Sequence, residues 1–203
     1  MLTPFDSAVA KSPAVFLDRD GVINEERDYV HRIEDFVILP GVLEGLAMLQ
    51  AAGFKLVVVT NQAGIGRGLY DEAAYQRVTK HMLARMREAG IELDAVYHCP
   101  HHPSAGIGVY RRDCDCRKPG AGMLLQAARE LPIDLSRSIL IGDKTSDIAA
   151  GRAADLACCV LVHSGHALTS AQLAQADASF PGLRDAAAWL VEHRVPRPKD
   201  VDS

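Results

Sequence analysis

The chain has 203 residues, 48% of them hydrophobic and 24% charged, with a formal net charge of −4, enough for one packed domain with its own core. So mild an acidic balance gives no electrostatic footprint for nucleic acid or an anionic membrane, and no apolar run approaches the roughly 20 residues of a membrane span. The start, MLTPFDSAVAKSP, lacks the basic flank and long apolar segment of a signal peptide, and five cysteines, an odd count with three crowded in one loop, favour metal over disulfides in a cytoplasmic protein.

Ala14 to Leu17 is a continuous apolar run, the pattern of a buried parallel strand, and it leads straight into Asp18-Arg19-Asp20-Gly21. Asp18 and Asp20 are expected close together at the lip of a sheet, where two carboxylates must share a proton or a cation. Taken alone, the same four residues also fit a polar turn after a core strand. A calcium loop fits poorly, because its glycine belongs at the sixth position and Gly21 is the fourth from Asp18.

A polar connection, Glu25 to Leu39, ends at Pro40-Gly41. Val42, Leu43, Leu46 and Leu49 then have helical spacing over Val42 to Ala52, with Gly53 as the stop. Lys55 to Thr60 reads as a second buried strand with a glycine-rich exit, Asn61 to Gly68. Asp71 caps a long helix to Ala89, stopped by Gly90, and Asp94 to His98 forms a third strand. An irregular loop from Cys99 to Pro119 precedes a helix at Ala121 to Leu131, a strand at Ser138 to Ile141, a helix at Thr145 to Ala154 and the apolar run Leu156 to Val162. Thr169–Ala176 and Leu183–His193 read as helical. Residues 1–194 are expected to form one domain, followed by a disordered tail at 195–203. Strands alternating with helices predict an α/β fold with a parallel sheet covered on both faces.

In such a sheet the loops after successive strands converge on one edge. The first supplies Asp18 and Asp20. The second supplies Thr60 and Asn61, suited to an anionic oxygen, although Thr60 alone fits a strand terminator as well. Gly64, Gly66 and Gly68 miss the GxGxxG spacing and follow the wrong strand for a dinucleotide site. Arg117 and Lys118 precede the helix at Ala121; by themselves they fit a solvated basic pair. Asp143 sits at a strand exit, where an N-cap is the competing role, and Asp147 lies one turn later on the same face. The carboxylates together need a hard cation, for which Mg²⁺ with one or two protein carboxylates, waters and a substrate phosphate is suited. A carboxylate and a phosphate at 4 Å repel by about 4 kcal/mol at an effective dielectric near 20, so Mg²⁺ and an ammonium are required before attack.

Cys99-x-His101 and Cys114-x-Cys116 offer three thiolates and an imidazole, the set of a closed structural zinc site, in a loop with little apolar content of its own. A disulfide, or ligation through His98 or His102, is the competing arrangement. Arg111, Arg112, Arg117 and Lys118 would offset the site's formal charge of about −1. Cys158 and Cys159 read as core thiols.

DRDGVIN, the strand ending in Thr60-Asn61, Arg117-Lys118-Pro119 and GDKTSD resemble, in order, the four motifs of haloacid-dehalogenase (HAD)-type phosphatases. The resemblance implies a Rossmann-like three-layer α/β/α sandwich. It implies that Asp18 attacks phosphorus, that Asp20 acts as general acid and base, and that Thr60 and Lys118 hold phosphoryl oxygens. It also implies Mg²⁺ on Asp18, the main-chain carbonyl of Asp20 and Asp143, with Asp147 behind them.

CPHHP…CDCRKP, DYVH and NQAGIGRG narrow the resemblance to the family of D-glycero-D-manno-heptose 1,7-bisphosphate 7-phosphatases, over about Ala14 to Val162. Those enzymes serve the heptose precursor of bacterial lipopolysaccharide cores. The family's residues carry over as Glu26, Arg27, Asp28, Tyr29 and Arg117 at the sugar end, and Asn61, Gln62 and Ala63 beside the phosphate. Glu26 stands where many relatives have aspartate. About twenty residues separate Asp20 from Pro40, too few for a cap domain, which needs about 50. The expectation is a monomer acting on a small phosphorylated sugar, without nucleic acid or membrane partner. Histidinol-phosphate phosphatase is the alternative within the same chemistry, and a non-catalytic zinc-stabilised binding module is the alternative outside it.

Overall fold

Successive side chains of β1 (Ala14–Leu17) point to opposite faces of the sheet and divide the core in two. Val15 and Leu17 join one apolar cluster and Ala14 and Phe16 the other. The computed structural model describes residues 10–193; the expectation for 195–203 lies outside them.

The other strands are β2 (Lys55–Asn61), β3 (Ala95–Cys99), β4 (Ile139–Gly142), β5 (Cys158–Val162) and β6 (Ala178–Phe180). All six are parallel, in the order β3-β2-β1-β4-β5-β6. Helices α1 (Val42–Ala51), α3 (Glu72–Glu88) and α7 (Leu183–Glu192) cover one face through Leu46, Leu49, Met82, Met86 and Leu190. Helices α4 (Gly122–Glu130) and α5 (Thr145–Ala153) cover the other through Met123, Leu124 and Ile148. The result is a three-layer α/β/α sandwich. Two single-turn helices, α2 (Ala63–Gly66) and α6 (Ser170–Leu173), complete the list. No described helix is long and apolar enough to cross a membrane.

The elements foreseen from periodicity are present with ends moved by a residue or two. Asp71 is the N-cap of α3, its carboxylate accepting from the Ala74 N–H at 2.7 Å. Three details differ. The glycine-rich exit of β2 contains α2, and Thr169–Ala176 is helical only over α6. Strand β6 was not foreseen: Ala-Ser-Phe has no apolar run of its own and is defined by pairing Ala178 with Val160.

Residues 21–41 form a compact loop with a short 3₁₀ turn at Ile33–Asp35 and bridges that tie Asn24 to Asp20 and to Ile38. No cap domain is inserted there. Chain order reverses between the adjacent strands β1 and β4, which makes their carboxyl ends the topological switch point where open α/β sheets bind ligands.

Candidate active site

Asp18 leaves β1 and Asp143 leaves β4, so the switch point places two carboxylates side by side. Asp147, one turn into α5, is the third, and ligand oxygens of all three lie within 4.8 Å of one another. A single buried ammonium pairs with two of them, Asp18 and Asp147. Lys118 Nζ lies 3.1 Å from Asp18 Oδ1 and 2.6 Å from Asp147 Oδ1, and donates to Val59 O at 2.8 Å. The Asn61 side chain fixes the backbone of Lys118 from both sides, accepting from its N–H and donating to its carbonyl, each at 3.0 Å.

Burial dominates the electrostatics. It pushes the Asp18 carboxyl up to about 7, with Lys118 opposing the shift and Asp147, Asp143 and Asp20 adding to it. Burial raises Asp143 as well. It disfavours the charge on Lys118, yet Asp147 and Asp18 more than compensate and hold the ammonium above its usual range. Asp143 Oδ1 is buried with no protein partner, while Oδ2 meets His166 Nδ1 at 2.5 Å. An orphaned carboxylate oxygen beside a carboxyl whose charge is disfavoured is a site short of one cation. Hard oxygen donors in that arrangement fit Mg²⁺. Glycine at 21 (φ +82°) is required, since a Cβ there would overlap Asp143 Oδ2. The N-cap of α5 is Lys144, whose N–H donates to Asp147 Oδ2 at 3.0 Å, so Asp143 is not the cap.

Asp18 and Asp20 line one cleft, but they do not share a cation. Asp20 has its own cation: the buried Arg19 guanidinium lies 2.7 Å from Oδ1 and 2.9 Å from Oδ2. Asn24 Nδ2 donates to Asp20 Oδ1 and Gln62 Nε2 to Oδ2, each at 3.0 Å. Asp18 is grouped instead with Asp143 and Asp147.

The cleft above these groups has a volume of about 370 Å³ and is lined by Asp18, Asp20, Glu26, Asp28, Tyr29, Thr60, Asn61, Gln62, Ala63, Tyr70, His102, Arg117, Lys118, Lys144, Ser146 and His166. Arg27 stays outside it, paired with Glu25 at 2.6 Å on the surface. Glu26 faces Lys144 Nζ at 3.2 Å. Asp28 (φ 46°) and Tyr29 (φ 66°) are consecutive left-handed residues, a conformation that costs of order 1–3 kcal/mol each and collects at ligand clamps. Tyr70, His102, Lys144, Ser146 and His166 were missed from the sequence. Lys144 and Ser146 lie inside GDKTSD, and His166 follows β5 at the same sheet edge, so the rule that found Asp143 would have found them. Tyr70 and His102 carry no such signal.

At the end of β3, Cys99 Sγ lies 3.6 Å from Cys114 Sγ, 3.1 Å from Cys116 Sγ and 3.5 Å from His101 Nδ1. Cys116 Sγ is 3.2 Å from Cys114 Sγ and 3.4 Å from His101 Nδ1. A tetrahedron with metal–sulfur bonds of about 2.3 Å has edges of roughly 3.8 Å, so the four atoms could hold a zinc ion with little movement. All five cysteines are free. His98 pairs with Glu72 at 2.9 Å and packs on Tyr75, and His102 Nδ1 accepts from the Ala105 N–H at 3.0 Å. Arg117 Nη1 donates to His101 O at 3.2 Å, which ties the cluster to the wall of the cleft.

A family profile described as HAD-hydrolase-like matches residues 115–186, which include Arg117, Lys118, Asp143 and Asp147. The chain is 49% identical over 153 residues to a D-glycero-beta-D-manno-heptose-1,7-bisphosphate 7-phosphatase of Photorhabdus laumondii, covering 75% of this chain and 81% of the relative. It is 41% identical over 194 residues to the protein of that name in Escherichia coli K12, covering 95% and 96%. Among solved structures, the D,D-heptose 1,7-bisphosphate phosphatase of B. bronchiseptica, complexed with magnesium and phosphate, superposes with a TM-score of 0.77 at 32% identity, covering 90% of this chain and 99% of that one.

Proposed function

The chain belongs to the D-glycero-beta-D-manno-heptose-1,7-bisphosphate 7-phosphatases, a family of HAD-type phosphoric monoester hydrolases, and on that premise we propose that it removes the 7-phosphate of that bisphosphate through an aspartyl-phosphate. The observation that carries the reading is the convergence of Asp18, Asp143 and Asp147 at the switch point, with one buried ammonium paired to Asp18 and Asp147.

The Asp18 carboxylate attacks phosphorus as the bond from phosphorus to the sugar's O7 breaks, and Asp20 gives its proton to the departing oxygen. Asp20 then takes a proton from water, the hydroxide attacks phosphorus, and phosphate leaves with Asp18 regenerated. Asp20 ends the cycle protonated, as it began. Thr60 and Lys118 hold the phosphoryl oxygens, and Asp147 keeps the Lys118 ammonium aimed at them. Asp18, the Asp20 carbonyl and Asp143 would hold Mg²⁺, which when bound supplies the positive charge that lets an anionic nucleophile approach an anionic phosphate.

Cys99, His101, Cys114 and Cys116 hold a structural zinc in this reading, since four protein ligands leave no open position. Free thiols support a reducing, cytoplasmic location, and we take the active unit to be a monomer. Removing zinc with a thiol-compatible chelator should lower Tm by about 5–10 °C, with recovery on adding Zn²⁺ but not Mg²⁺. A melting curve that ignores the chelator would contradict a metal at the cluster.

Glu26, Arg27, Asp28, Tyr29 and Arg117 take the sugar end, with Asn61, Gln62 and Ala63 beside the phosphate. Arg27 enters the cleft only if it releases Glu25. Arg117 meets the second phosphate. Arg117→Ala should lower kcat/KM for the bisphosphate about 10- to 100-fold, the value of a charge-assisted contact, and for a monophosphate no more than about 3-fold. Equal losses on both substrates would remove Arg117 from that role. The test of the function as a whole is Mg²⁺-dependent release of one phosphate from the bisphosphate.

A further inference from the structure

Tyr70 lies outside every motif, just before the N-cap of α3, yet it is buried at the wall of the cleft. Its ring stacks on His31 at 4.9 Å with planes 1° apart and passes so close to α2 that a Cβ at Gly64 would overlap it. So held, the Tyr70 hydroxyl lies 2.6 Å from Gln62 Oε1. An amide oxygen only accepts, so the tyrosine must donate. The two hydrogens of Gln62 Nε2 are then spent on Asp20 Oδ2 at 3.0 Å and Thr60 Oγ1 at 2.9 Å. The reversed amide would set an acceptor against the Asp20 carboxylate left once its proton has gone to the departing oxygen. Because Thr60 Oγ1 accepts from Gln62, its own proton is free for a phosphoryl oxygen in the cleft.

We propose that Tyr70 is a positioning residue that fixes the direction of this hydrogen-bond chain, holding Gln62 so that its amide orients Asp20 and commits the Thr60 hydroxyl to donate to substrate. The inference rests on the roles given above to Asp20 and Thr60. Burial keeps the Tyr70 phenol above its usual range, so it remains a donor at working pH. Arg19 and Asn24 still hold Asp20 if Gln62 turns, which limits the expected loss.

The test is a double-mutant cycle of Tyr70→Phe and Gln62→Ala, measured with the heptose bisphosphate and with glycerol phosphate, an alkyl monoester whose turnover does not depend on the sugar. Tyr70→Phe keeps the stacked ring and loses the donor. It should lower kcat about tenfold with KM within about twofold and Tm unchanged. Gln62→Ala should cost at least as much, and the double variant should match Gln62→Ala alone, because Tyr70 then has nothing to act through. An unchanged kcat in Tyr70→Phe, a loss confined to KM, or additive losses in the double variant would overturn the proposal. Failure of the underlying mechanism reads differently: Asp20→Asn would then retain wild-type turnover.

Discussion

Replacing Asp18 with asparagine should lower kcat by about 10⁴- to 10⁶-fold, the scale of losing a nucleophile, while leaving the metal-free protein at least as stable as the wild type. The two halves have one cause. Asp18 is buried, and burial pushes its carboxyl up to about 7. A carboxyl whose folded value lies above its unfolded value contributes stability at low pH and loses it as pH rises through the folded value. At pH 8 in chelator the wild type must hold that carboxylate in its interior, whereas the amide carries no charge and its oxygen can still accept from the Arg19 N–H, which lies 2.7 Å from Asp18 Oδ1. Steady-state kinetics beside thermal melts in chelator read both effects. Turnover within tenfold of wild type would remove Asp18 as nucleophile, and a large drop in Tm would mean that its charge stabilises the fold.

Lys118→Ala should damage both activity and stability. Asp18 and Asp147 would lose their shared ammonium in the interior, beside Asp143. Removing one partner of a buried charge group costs about 3–5 kcal/mol, and removing a preorganised electrostatic contact costs about 10²- to 10³-fold in kcat. Lys118→Arg should not restore function, because Nζ sends its hydrogens toward Asp18, Asp147 and Val59 O. A planar guanidinium cannot reproduce three tetrahedral directions in the same volume. Denaturant unfolding and kinetics on both variants check this. An arginine variant with near wild-type turnover would mean that charge alone matters and that the directed contacts do not.

These outcomes depend on features of unequal visibility in the sequence. The strand exits that hold Asp18, Thr60 and Asp143 were legible, because a buried parallel strand is an apolar run and the polar residue ending it has nowhere to go but the sheet edge. The cluster of Cys99, His101, Cys114 and Cys116 was legible by composition, although choosing His101 over its neighbours required knowing that His98 turns toward Glu72. Partnerships were harder. Arg19 between two aspartates reads as one more polar turn residue, and only the fold buries it against Asp20. Asn61 reads as a phosphate neighbour, whereas its side chain is spent on the Lys118 backbone, 57 residues away in sequence. Tyr70 and His102 reach the cleft through packing that no local pattern encodes. Spacing locates groups at an edge; long-range packing decides which of them are paired.

Phosphate release with Mg²⁺ from D-glycero-D-manno-heptose 1,7-bisphosphate, histidinol phosphate and a generic ester, with the position of the remaining phosphate read by ³¹P NMR, decides which substrate the cleft serves. The site described here predicts that the heptose bisphosphate is turned over with the highest kcat/KM and that the product keeps its 1-phosphate. A preference for histidinol phosphate, loss of the 1-phosphate first, or no release from any of the three would contradict it.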